Sequence, residues 1–326
     1  MQNPPIRRSR PYPRWAALLS LTLLGTASCL GSGSEDNAVR RGDQAFAADS
    51  LEEALAEYRL AVRQGGRDAP TLARVAHPYA ALGRVDEAAD FYGEAADADS
   101  TWTDQAAVDL LHLAREAAST QDNFLMATAV QEALRFRPGL GLGDLALPLA
   151  RHYFRNGEFG RALPLYQRAL ASADSVPRIL FEIGQAHEEI GDCRRALAHF
   201  ERYREVAPRD ERAGVDWYIG SCALEVARSV REDPDPGRGD LEEALVMVNR
   251  AIDVGEPRNL QGQAWFERGE ILAALGACAE AMESFAQVRF VEPGGSGALV
   301  NRAQQRFDLI KFGQGLDRFR GDGRCY

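Results

Sequence analysis

Residues 177–210 read PRILFEIGQAHEEIGDCRRALAHFERYREVAPRD. The stretch splits into two short amphipathic helices at Gly191-Asp192 and closes at Pro208. Pro177 suits a first helical position, where its missing N–H has no partner to lose. The decisive feature is recurrence, because the same pattern returns on both sides at or near a 34-residue step.

Four slots carry the repeat. A small residue in the first helix falls at Gly42, Ala76, Ala114, Ala150, Gly184, Gly220 and Gly269. Twelve residues later come Ala54, Ala88, Met126, Ala162, Ala196, Ala244 and Ala281. Alanine is 52 of 326 residues, so about one is expected in seven slots by chance, and six occur. Four further on stand Tyr58, Tyr92, Val130, Tyr166, Phe200, Val248 and Phe285. Three beyond those stand Ala61, Ala95, Ala133, Ala169, Tyr203, Ala251 and Val288. Spacings of 0, +4 and +7 put these side chains on one helical face. Five residues before the alanine slot, Asp49, Gly83, Gln121, Gly157, Gly191, Gly239 and Gly276 mark the end of the first helix. Glycine is favoured there because the left-handed conformation costs it little.

This pattern resembles the tetratricopeptide repeat, a 34-residue helix–turn–helix unit. The resemblance runs from about residue 35 to 295 and implies an all-α, right-handed superhelical solenoid of about seven units with a C-terminal capping helix. The expected units are 35–68, 69–102, 107–140, 143–176, 177–210, 213–258 and 262–295, forming an array over 38–295. A cap follows at 296–312, with an apolar stripe of Leu299, Ala303, Phe307 and Ile310, then a mobile tail at 313–326. The third unit, with Met126, Gln121 and Val130 at its key slots, is expected to pack more loosely. The alanine series steps by 34, 38, 36, 34, 48 and 37 residues. The long step contains residues 230–240, VREDPDPGRGD, expected as a loop between the helices of unit six.

The chain from Met1 to Ser28 differs from the rest. Arg7, Arg8, Arg10 and Arg14 precede an apolar run, and no acid occurs before Glu35. That is the layout of an export signal, with an apolar segment too short to span a bilayer comfortably. The sequence Leu24-Gly25-Thr26-Ala27-Ser28-Cys29 resembles a bacterial lipoprotein signal, departing from it at Thr26, and implies cleavage after Ser28 and a lipid on Cys29. Residues 29–37 then read as a flexible linker, and Leu30 after the cysteine favours the outer membrane. The leader holds four Arg and no acid, so its removal takes the net charge from −10 to −14. So acidic a chain lacks the footprint of a nucleic-acid binder.

Catalytic and metal motifs are not found. His187-Glu188 opens like a zinc-protease motif, but the second histidine would fall at Gly191. His77, His112, His152, His187 and His199 read as surface or packing residues, and no cofactor is expected. Cys193, Cys222, Cys278 and Cys325 are an even set in an exported chain, for which three pairings exist. Cys222 lies within reach of Cys193, which would leave Cys278 for Cys325; buried free thiols are the competing reading.

In the resembled family the first helices line a concave face that binds peptides. Carried over, that face holds Phe46, His77, Arg115, Arg151, Phe154, Arg155, Phe181, Gln185, Trp217 and Phe266. His77, Arg115, Arg151 and Arg155 near aromatics would suit an acidic or C-terminal carboxylate-bearing peptide. The Lys/Asn clamp of chaperone-binding relatives is absent, since the only lysine is Lys311. The expected function is a non-catalytic, lipid-anchored scaffold of the bacterial envelope with protein or peptide partners. The alternative is an enzyme or accessory subunit acting on an envelope glycan or lipid-linked substrate; a third reading is self-association through an apolar end face.

Overall fold

The computed structural model describes residues 32–172, 176–292, 297–313 and 325, and among them there is helix and no strand. The chain divides into two compact bodies, Met1–Leu142 and Gly143–Tyr326. The first contains three helix pairs: α1 (Ser32–Ala47) with α2 (Leu51–Arg63), α3 (Ala69–Ala81) with α4 (Val85–Ala98), and α5 (Trp102–Ser119) with α6 (Asn123–Phe136). The second contains α7 (Ala146–Arg155) with α8 (Phe159–Ser172), α9 (Val176–Glu189) with α10 (Cys193–Val206), α11 (Arg212–Arg231) with α12 (Arg238–Val254), and α13 (Gln261–Ala274) with α14 (Cys278–Val291). The final helix, α15 (Gly297–Gly313), packs on α14 and α13. The leader, Cys29 and nearly all of the expected tail lie outside the described residues. The expected linker is corrected in part, since α1 already begins at Ser32.

Each pair closes through the slots read above. The alanine-slot residues and the apolar residues four later are buried in every pair. The third pair is no exception: Met126 and Val130 are as buried as their counterparts, so the looser packing expected there is not seen. Methionine's unbranched chain fills the space that alanine leaves elsewhere. Burying a ring such as Phe200 contributes about 2–3 kcal/mol. That ring sits where a Cβ on Gly184 would come within 2.6 Å of it, so the two helices approach closely.

The turn slot also follows a common geometry. Gly83, Gly157, Gly191 and Gly276 take positive φ, as do Asp49 (58°) and Gln121 (63°). The turn therefore imposes left-handed backbone even on residues that carry a side chain, at a cost of about 1–2 kcal/mol each. Gly239 is the departure, because it lies inside α12.

The sixth pair corrects another expectation. The connection spans only residues 232–237, because the extra chain lengthens the helices to 20 residues in α11 and 17 in α12, against 14 in both α9 and α10. The Asp240 carboxylate accepts a hydrogen bond from the Gly237 N–H at 3.0 Å, securing the early start of α12. Pro234 and Pro236 stay in the loop with Glu232, Asp233 and Asp235, while Arg231, Arg238 and Asp240 join the helices.

Candidate interaction surface

The first helix of each pair presents residues adjacent to its small slot. At three junctions the residue one after that slot meets a residue two before the slot of the next pair. Asp43 accepts from Arg74 Nε at 3.1 Å, and Arg151 donates through Nε to both oxygens of Glu182 at 3.0 and 3.1 Å. Gln185 Nε2 donates to the Tyr218 hydroxyl at 3.1 Å. Glu270 is paired in the same manner by Arg306 of α15 at 2.9 Å. The first three contacts join side chains nearly a full repeat apart, which hides them from any local reading of helix periodicity.

The seventh pair shows what happens when the ladder is broken. Glu267 occupies the slot two before Gly269, and the residue opposite in the ladder is Ser221. The buried carboxylate is met instead by Arg231 Nε, by Arg228 Nε at 3.7 Å, and by Gln263 Nε2 at 2.9 Å. Two arginines one turn apart on α11 thus enclose it.

In the first body, His77 Nδ1 lies 2.9 Å from the Tyr92 hydroxyl and 3.0 Å from Asp109 Oδ2, and Tyr92 donates to Asp109 at 2.7 Å. Burial acts to raise the Asp109 carboxyl, but hydrogen bonds from His77 and Tyr92 outweigh it and hold the group below the usual carboxylate range. The same burial, reinforced by Asp109, pushes the Tyr92 phenol strongly up, so it remains a donor. These groups wall a hollow of about 220 Å³ with Phe46, Leu113, His112 and Glu116 around it.

The expected site residues have different fates. Phe46 and Trp217 are exposed, at 41% and 46%, and available for contact. Phe154 packs edge-on against Phe159 and Tyr166, and Phe181 packs tilted against Phe200 and Tyr203 and edge-on against Tyr218, each remaining part-exposed. Phe266 is corrected: it is core, buried among Phe285, Ala303 and Ile310 with the Arg302 guanidinium over its ring, because α15 covers it. Arg151 is corrected as an unengaged cation, since Glu182 holds it; an acidic ligand would have to displace that carboxylate. Arg155 is exposed and donates to the Arg151 carbonyl at 3.3 Å, and Arg115 is exposed on α5. His77 and Arg115 belong to one compact body and Arg151 and Arg155 to the other.

Cys193 is joined to Cys222, with Cα atoms 4.9 Å apart, linking α10 to α11; Cys278 is joined to Cys325, at 5.6 Å. The Cys325 N–H donates to the Ala273 carbonyl at 3.1 Å, fastening that residue beside α13. Near the first disulfide, His187 and His199 stack with ring centroids 5.6 Å apart and planes 10° from parallel. Burial lowers both imidazoles below their ordinary value, and each also faces an arginine, Arg195 and Arg202 respectively. The sequence reads these two histidines as packing or surface residues without pairing them; their spacing of twelve, equal to the small-to-alanine step, is the signal that links them. Among the described residues no helix is long and apolar enough to cross a membrane.

Comparison with known proteins agrees with the repeat. The family model described as tetratricopeptide repeat matches residues 147–214 and 237–294. No curated protein matches the chain. Among solved structures, the C-terminal part of a TPR repeat-containing protein from Cytophaga hutchinsonii is 14% identical at a TM-score of 0.34, covering 82% of this chain and 98% of that one. The TPR2AB domain of yeast Sti1, described as a complex with pHSP90, is 14% identical at 0.33, covering 85% and 98%. A thermophilic TPR protein from Thermus thermophilus is 22% identical at 0.24, covering 58% and 99%. The matched segments lie in the second body, and the three pairs of the first body repeat the same slots with the same burial. Residues 147–214 and 237–294 thus match the tetratricopeptide repeat, and the remaining helix pairs carry the same buried slots.

Proposed function

We propose that this protein is a non-catalytic interaction scaffold, exported and held at the bacterial envelope by a lipid on Cys29, that binds peptide or protein segments on the face of its first helices. The observation that carries the interaction reading is that face itself. In the second body it carries the exposed ring of Trp217 with the partly open rings of Phe154 and Phe181, and in the first body, taken separately, the exposed ring of Phe46. Aromatic anchors of this kind dominate the energetics of protein recognition. Export and lipidation rest on the arginine-flanked apolar leader and its small residues before Cys29. The two cysteine pairs suit an oxidising compartment.

Photo-crosslinking in cells tests the interaction reading. A photoreactive residue at Phe46 or Trp217 should trap protein partners, whereas one at the exposed Glu53 or Glu283 of second helices should not. Equal trapping from both faces refutes the assignment. Metabolic labelling with a fatty-acid probe tests the anchor: the label should vanish in Cys29→Ala, and a persisting label rules it out.

A further inference from the structure

The hollow in the first body has a charge character opposite to the one expected from the sequence. Its wall holds two carboxylates, Asp109 and Glu116, and neither lysine nor arginine. Arg115, on the same helix, does not line it. Three hydrogen bonds, from Tyr92, His77 and Gln105, reach Asp109. A carboxylate has about four lone-pair sites, so one more donor fits without breaking that network. Glu116 is largely exposed and lies one turn from His112, with 3.8 Å between carboxylate and imidazole. The ring of Phe46, 41% exposed, stands at the rim. The hollow measures about 220 Å³. A small-molecule site usually needs roughly 300–1,000 Å³. This space is the size for one side chain.

Resting on the interaction reading above, we infer that this hollow receives the cationic side chain, guanidinium or ammonium, of a peptide partner. The aliphatic part of that side chain lies against Ala80, Ala81 and Leu113, which form the apolar floor. The charged head reaches Asp109 and Glu116, and the face of Phe46 adds the attraction of an aromatic quadrupole for a cation. Arginine has a further advantage over lysine because its planar fork can address two acceptors at once. An acidic side chain in the same place would meet two like charges in a partly desolvated recess. The net charge of −10 gives a basic partner favourable long-range steering as well.

The test uses the full chain labelled with ¹³C at histidine Cε1, which yields five signals assignable by single His→Gln variants. N-acetyl-arginine methylamide is titrated into the millimolar range, with the citrulline counterpart as the isosteric neutral probe and the glutamate counterpart as the acidic one. The arginine probe should shift the His77 and His112 signals saturably, at least fivefold more than citrulline, while His152, His187 and His199 stay in place. Glu116→Gln with Phe46→Leu, both at exposed positions, should weaken that response at least fivefold without altering the other three signals. Equal shifts with citrulline, saturation by the glutamate probe, or no arginine response at His77 and His112 overturns the assignment. Selecting random peptides on the full chain separates this from the broader reading. Binders that lack basic residues and ignore Glu116→Gln sink the cation hollow and leave the scaffold standing.

Discussion

Replacing Gly220 by alanine should destabilise the protein far more than the same change at Gly184, although both glycines hold the same slot. A Cβ on Gly220 would lie 1.7 Å from the Glu256 carbonyl oxygen and 2.8 Å from its carbon. An ordinary carbon–oxygen contact is about 3.3–3.6 Å, so the carbonyl must retreat by roughly 1.5–2 Å. The obstacle is backbone, in a segment tied between α12 and α13, and cannot rotate aside. Overpacking typically costs about 1–3 kcal/mol, and a backbone obstacle belongs at the upper end. Alanine returns about 1 kcal/mol of helix propensity, leaving a net loss of about 2 kcal/mol. At Gly184 the obstacle is the Phe200 ring at 2.5 Å. The equivalent slots of two other pairs already hold Ala76 opposite Tyr92 and Ala150 opposite Tyr166. Gly184→Ala should therefore stay within about 1 kcal/mol of the parent. Urea unfolding of the oxidised protein by circular dichroism gives the ranking, and amide exchange in α11 and α12 locates the loss. A Gly220→Ala protein that matches the parent within about 0.5 kcal/mol, or proves more stable than Gly184→Ala, would show that the Glu256 carbonyl is no obstacle.

Three further outcomes can be measured. Glu267→Gln should cost about 2 kcal/mol, less than the roughly 3–5 kcal/mol for breaking a fully buried pair, because Arg228 and Arg231 retain contact with water; an unchanged midpoint in urea contradicts the role given to that carboxylate. Burial lowers the folded-state pKa of His187 and His199 below 6.5, so the unfolded chain binds more protons in acid; their contribution is full above about pH 6.5 and is lost as pH falls through it towards the folded value. Melting temperature should accordingly drop between about pH 7 and 5, with a shallower drop in His199→Leu, and identical pH slopes would count against the pair. The Cys193–Cys222 link joins positions with a sequence separation of 29, so opening it should cost up to about 3.6 kcal/mol by loop entropy; peptide mass mapping without reductant should find both links, and thermal melts of Cys193→Ala/Cys222→Ala should report the loss.

The helix pairs were legible because each is written by residues within one repeat. Gly or Ala in the first helix, Ala and an aromatic in the second, and a turn residue with positive φ all lie inside little more than half a unit. Asp49 and Gln121 remained readable by slot although neither is glycine, since the geometry is set by the pair rather than by the turn residue. The surface was harder to read. Arg151 looked available because Glu182 belongs to the following repeat and becomes its neighbour only when two pairs stack. Phe266 looked open because its cover, α15, comes from beyond the repeat. In the sixth pair, Pro234 and Pro236 announced a loop correctly, but nothing in the surrounding charges revealed where the helices would resume.

At two junctions the contacts between successive first helices also favour one order of repeats over another. The slot after Gly42 is acidic and its partner Arg74 basic; the slot after Ala150 is basic and its partner Glu182 acidic. If the fourth pair preceded the second, Arg151 would face Arg74, and if the first preceded the fifth, Asp43 would face Glu182. At these two junctions the edge is thus complementary to its own successor and meets a like charge in the shuffled one. Repeats that share one backbone plan are in this way told apart at these two seams, and a rearrangement that exchanged them would keep the same helices with mismatched charges.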